Sequence, residues 1–105
     1  MATINNKDGR TVISYTHTFR RIAVTGVAVP IPVESEFLRV KASNGNAAAC
    51  IIYVGNSDVS ATNGYELAPG ESLQLSGGLG QLLTANTIYL IAVGGNGFAH
   101  YVASN

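Results

Sequence analysis

Charge is the scarcest ingredient of this chain. Charged residues fill 11% of its 105 positions, where about 25% is usual for a globular domain. Six basic and six acidic side chains cancel to no net charge. That removes the usual electrostatic driver of binding to nucleic acid or to anionic membranes, and neither partner is expected. The single cysteine, Cys50, excludes an intramolecular disulfide framework and any multi-cysteine metal site. No stretch approaches the roughly 18 apolar residues of a membrane helix. The N-terminal run Met1-Ala2-Thr3-Ile4-Asn5-Asn6-Lys7-Asp8 lacks the apolar core of a signal peptide, so synthesis and folding in a cytoplasm are expected. No window of helical length carries an apolar stripe of period 3.6.

Gly, Ser, Thr and Asn take the place that charges leave, with 37 of the 105 residues between them. Hydrophobic residues at 47% suffice for the core of one domain, and a weakly charged chain without net charge tends to associate. Period-2 alternation recurs along the chain and predicts strands. The first ten residues are polar, contain Asn5-Asn6 and Asp8-Gly9, and read as an arm or loop. Thr11 to Phe19 alternates, with Ile13, Tyr15, His17 and Phe19 on one side. Ile22 to Val29 follows, bent at Gly26 and ended by Pro30 and Pro32, whose ring nitrogens cannot donate to a ladder. In Phe37 to Ala42, Leu38, Val40 and Ala42 face inward, while Phe37, Arg39 and Lys41 face outward.

Ser43-Asn44-Gly45-Asn46 is a turn signal, and Ala48 to Val54 an apolar strand that buries Cys50. Gly55 to Tyr65 is a loop rich in side chains that bond to backbone. Ala68-Pro69-Gly70-Glu71 has Pro and Gly where a type II turn needs them, leading into a strand from Ser72 to Leu75. Thr87 to Val93 and Phe98 to Val102 are the last strands, joined through Gly94-Gly95-Asn96-Gly97. The expected pairs are hairpins of 37–42 with 48–54 and of 87–93 with 98–102. The fold class is all-β: an antiparallel β-sandwich or small jelly-roll-like barrel of about seven short strands. Residues 1–10 form its N-terminal arm and residues 11–105 the sandwich domain.

No residue set meets the requirements of catalysis, and no catalytic, cofactor-binding or metal-ligating residue is assigned. His17 and His100 have no Cys or carboxylate at ligand spacing. Glu34 and Glu36 share one face of an extended segment, which suits a solvated edge. Ser57 and Asp58 lack the context of a nucleophile elbow. The oxygens of Asn56 to Asn63 suit Asx turns better than calcium, because the loop holds one carboxylate. Gly77-Gly78-Leu79-Gly80 has no following Lys-Ser/Thr or helix to make a phosphate cradle. Arg20-Arg21 is the one basic pair; alone it does not hold a nucleic acid, and no aromatic platform accompanies it.

The stretch from Ile52-Tyr53-Val54-Gly55 through Asn63-Gly64-Tyr65-Glu66-Leu67-Ala68-Pro69-Gly70-Glu71-Ser72-Leu73 resembles a segment of small structural proteins in tailed-bacteriophage virions. There a strand ending in YVG leads into an NGY-x-LAPGES loop, followed by a strand like Ile88-Tyr89-Leu90-Ile91-Ala92 and a closing strand like Ala99-His100-Tyr101-Val102. The resemblance covers about residues 36–103. Glu66, where such sequences often have Pro, and the long connection Ser76 to Asn86 depart from it, so partner contacts are not carried over at that end.

What the resemblance implies is a non-enzymatic virion protein, assembled in the host cytoplasm. Its expected role is an accessory capsid decoration or cement protein, bound to the major capsid protein or other virion proteins. It also implies self-association, as a homotrimer at local three-fold axes. The alternatives are a neck- or tail-associated structural or adaptor protein, and a glycan-binding module of a tail fibre using Tyr53, Tyr65 or Tyr101. Ile4, Tyr15, Phe19 and Phe37 are the candidate contact residues, as apolar groups on the arm or on polar strand faces.

Overall fold

The computed structural model describes residues 2–7, 10–15, 17–32, 35, 37–76 and 88–104. Among them are ten strands and no helix: β1 (Ala2–Lys7), β2 (Arg10–Tyr15), β3 (His17–Val24), β4 (Val29–Pro30), β5 (Phe37–Ala42), β6 (Ile51–Gly55), β7 (Tyr65–Leu67), β8 (Ser72–Ser76), β9 (Tyr89–Val93) and β10 (Gly97–Ser104). Eight of them form two four-stranded antiparallel sheets, ordered β3-β10-β5-β8 and β4-β9-β6-β7. Four nested pairs explain this order: β3 with β10, β4 with β9, β5 with β8 and β6 with β7. The chain is one long hairpin with β6–β7 at its tip. Rolling that ribbon up sets β10 beside β5 and β9 beside β6. This is the winding of an eight-stranded jelly roll, so the expected all-β sandwich is the fold.

Alternation closes the core. Leu38, Val40 and Ala42 of β5 and Ala99, Tyr101 and Ala103 of β10 are buried from one sheet, Ile52, Val54, Leu90 and Ala92 from the other. Ile31 and Leu67 join them. Each large aliphatic side chain so buried contributes about 1.5–3 kcal/mol. Cys50 is fully buried, as its apolar surroundings predict.

Both expected hairpins are corrected. β5 and β6 lie in different sheets, as do β9 and β10. Segments 43–50 and 94–96 are corners that carry the chain between layers, and they fasten each other. Asn46 acts as a backbone substitute for β10: its Oδ1 accepts from the Phe98 N–H at 2.9 Å and its Nδ2 donates to the Phe98 carbonyl at 3.0 Å. The Cys50 thiol points at the Gly95 carbonyl, 3.4 Å away. The turn at Ala68-Pro69-Gly70-Glu71 forms as expected. Gly70 has φ +88° and the Glu71 N–H reaches the Ala68 carbonyl at 2.9 Å, the type II requirement that favours glycine at this position.

Of the two expectations for the N-terminal segment, arm or loop, the loop is corrected. Residues 2–7 are not a loop: β1 pairs with β2 in register from Ala2↔Tyr15 to Lys7↔Arg10. This hairpin is a sheet of its own, and a new strand begins at His17. Pro30 closes the two-residue β4 at a sheet edge, where its missing N–H costs no ladder bond. Glu34, Glu36, the segment 77–87 and the side chains of residues 1–16 lie outside the described residues.

Candidate functional site

Because Leu38, Val40, Ala42, Ala99, Tyr101 and Ala103 point into the core, their alternate neighbours stand on the outer face of the β3-β10-β5-β8 sheet. The register sets them in rows. Arg21, His100, Lys41 and Ser72 lie side by side on four adjacent strands; Phe19, Val102, Arg39 and Gln74 form the next row. His17, Ser104, Phe37 and Ser76 form a third. Over the first two rows lies an open cleft of about 410 Å³, lined by Phe19, Val102, His100, Tyr101 and four cations: Arg20, Arg21, Arg39 and Lys41.

Four of the six basic residues of the chain therefore line one cleft, and among the described residues no acidic one does. Zero net charge conceals a segregated distribution. Neighbouring strands lie about 4.8 Å apart, and alternate residues of a strand about 6.8 Å apart. Arg39 and Lys41 are therefore about 7 Å apart along β5, and Arg21 is about 10 Å from Lys41 across β10. Four like charges on one face favour an anion there.

Local contacts hold these groups at the surface. The Arg21 guanidinium lies 4.5 Å from the Phe98 ring centroid, a cation–π contact. Arg20 Nη1 donates to the Phe19 carbonyl at 2.9 Å. His17 shares a 2.7 Å hydrogen bond with the Ser104 hydroxyl and tilts against Phe19, ring centroids 6.3 Å apart. Phe19 itself is 69% exposed, a large apolar group left in water at the edge of this face.

The opposite face differs in chemistry. On the outer side of the β4-β9-β6-β7 sheet, Tyr53 stands between Ile91 and Glu66, and Ile51 beside Val93. Ile51, Tyr53, Tyr89 and Ile91 are half-buried and Val93 is exposed. Glu66 is the one charged residue in these rows. One side of the sandwich is cationic and the other apolar.

Of the four contact residues read from sequence, Phe19 and Phe37 share the cationic face, in adjacent rows. Ile4 and Tyr15 sit on the N-terminal hairpin, paired with Ile13 and Ala2, and their side chains lie outside the described residues. In sequence Arg20-Arg21 is an isolated pair; the structure adds Arg39 and Lys41 to it through β10, which lies between β3 and β5. The outward alternation of Arg39 and Lys41 was the available signal, but nothing local joins two strands about twenty residues apart.

The remaining candidates are dispersed. His17 and His100 stand on one sheet, while Ser57 and Asp58 lie in the loop between β6 and β7 of the other. That loop spends its oxygens on itself: Asn63 Oδ1 accepts from the Ser60 N–H at 2.8 Å, and Asn63 Nδ2 donates to the Asp58 carbonyl at 3.1 Å. The described residues contain no group of three or more His, Cys, Asp or Glu able to hold a metal ion. The three tyrosines make no common platform. Tyr101 is core, Tyr53 faces outward, and Tyr65 shares the inward parity of Leu67 at the sheet edge. The chain matches no known protein-family model, no curated protein and no solved structure.

Proposed function

We propose that this protein is a non-enzymatic accessory component of a tailed-phage virion that decorates and cements the head shell, binding the major capsid protein and further copies of itself as a homotrimer. The observation that carries this reading is the two-faced sandwich: a cationic cleft with exposed Phe19 on one sheet, and an apolar face almost free of charge on the other. A cement protein needs two unlike surfaces, one for the lattice and one for its own copies. The sequence resemblance supplies the virion context. The jelly roll adds only an analogy of fold, since the same winding serves capsid, lectin and enzyme domains.

Cementing works by mass action: a protein that binds the assembled lattice and not its free subunits stabilises the lattice. Counting copies on purified particles by cryo-electron microscopy tests the assignment. A copy number that scales with the shell subunits is expected. A single small ring at the neck or tail would replace the shell role with that of an adaptor, and absence from the particle would end the virion reading. Light scattering is expected to give three times the 10.9 kDa chain mass; a monomer at all concentrations would refute the trimer.

A further inference from the structure

We infer that the cleft on the β3-β10-β5-β8 sheet is a docking groove for an extended, carboxylate-bearing polypeptide segment of a partner protein. Complementarity of charge is the first argument. Arg20, Arg21, Arg39 and Lys41 converge on one cleft, with no acidic residue among the described residues of its lining, in a chain of zero net charge.

Shape is the second argument. The cleft is open and spreads over three adjacent strands, so it suits a chain lying on the face better than a small molecule enclosed on all sides. Spacing is the third. Arg39 and Lys41 are alternate residues of β5, about 6.8 Å apart, and acidic side chains at alternate positions of an extended peptide repeat at that same distance. Val102, and Phe19 at 69% exposure, give the apolar side chains between them a surface to cover.

A single-stranded nucleic acid fits less well. It would need successive exposed rings for its bases, whereas the ring of Phe98 is already occupied by Arg21, Tyr101 is buried in the core, and Phe19 and His100, on different strands, are the exposed rings of the cleft lining. The inference rests on the shell-binding reading only for the identity of the partner, not for the chemistry of the groove.

Purified protein and a fluorescein-labelled peptide of alternating Glu and Thr test it by anisotropy, with a Gln/Thr peptide and oligothymidylate as comparisons. The Glu/Thr peptide is expected to bind, and the Gln/Thr peptide at least ~10-fold more weakly, from loss of several exposed ion pairs. Raising NaCl from about 50 to about 500 mM should weaken the Glu/Thr complex by about 10-fold. Arg39→Gln with Lys41→Gln should weaken it by about 10-fold. Arg39→Glu with Lys41→Glu should transfer preference to a Lys/Thr peptide, which also shows that the altered protein is folded.

Equal binding of the Glu and Gln peptides, indifference to the double substitution, or tighter binding of oligothymidylate would each overturn the inference. Failure here with the protein present on particles leaves the shell reading intact. Peptide binding without particle attachment supports the groove and removes the shell as its partner.

Discussion

Gly94 and Gly95 are adjacent, both have positive φ (+90° and +134°), and yet alanine should affect them unequally. At either site an L side chain is strained by about 1–3 kcal/mol. A Cβ on Gly95 meets nothing within 4 Å, so that strain is the whole cost. A Cβ on Gly94 would overlap the carbonyl oxygen of Ala49, a backbone atom at the facing corner. Relieving the overlap means moving the segment that leads into fully buried Cys50, and forced repacking of this kind adds about 1–3 kcal/mol or more.

Gly95→Ala should therefore cost about 1–3 kcal/mol and Gly94→Ala about 2–6 kcal/mol. In a domain of this size 1 kcal/mol lowers the melting temperature by about 4 °C. Thermal unfolding followed by circular dichroism should place Gly94→Ala about 4–12 °C below Gly95→Ala. Urea midpoints should rank the two the same way. If Gly95→Ala is as damaging as Gly94→Ala, close contact of the two corners does not hold the layers together.

Other consequences are simpler to read. Asn46→Ala removes both bonds to Phe98 and should cost about 1–3 kcal/mol, seen as a lower urea midpoint at unchanged slope. Leu38→Ala empties a fully buried site and should cost about 2–5 kcal/mol in the same assay. Cys50, fully buried, should resist Ellman's reagent in native protein and react at once in denaturant; rapid native labelling would refute its burial. Phe19→Ser should leave stability within about 0.5 kcal/mol, because the ring is 69% exposed, while weakening attachment to shells in co-sedimentation.

Much of the local structure was legible because it depends on neighbours in sequence. Leu38, Val40 and Ala42 alternate with Arg39 and Lys41, and the pleat sends the two sets to opposite faces wherever the strand ends up. Pro69-Gly70 makes its turn by backbone preference, and the Asn63 loop ties itself together through short side chains. Asn44-Gly45 signalled a reversal correctly and misled about what it joins, because a corner between sheets and a hairpin ask similar things of the turn. Strand β7 went unread since three residues, Tyr65–Leu67, carry too little alternation to separate from a loop. In β1, alternation was masked by Asn5 and Asn6, and the pairing with β2 supplied what the polar residues concealed.

Inward and outward faces, the buried thiol, the turn at Gly70 and the shortage of charge belong to the chain as written. Strand adjacency does not. β3 meets β10 across most of the chain length, and no local preference distinguishes that partner from the next strand along. The choice follows from closing two inner faces over one core. The same closure carries Arg20 and Arg21 to within one strand of Arg39 and Lys41. A composition with little charge and no net charge thereby acquires a cationic side.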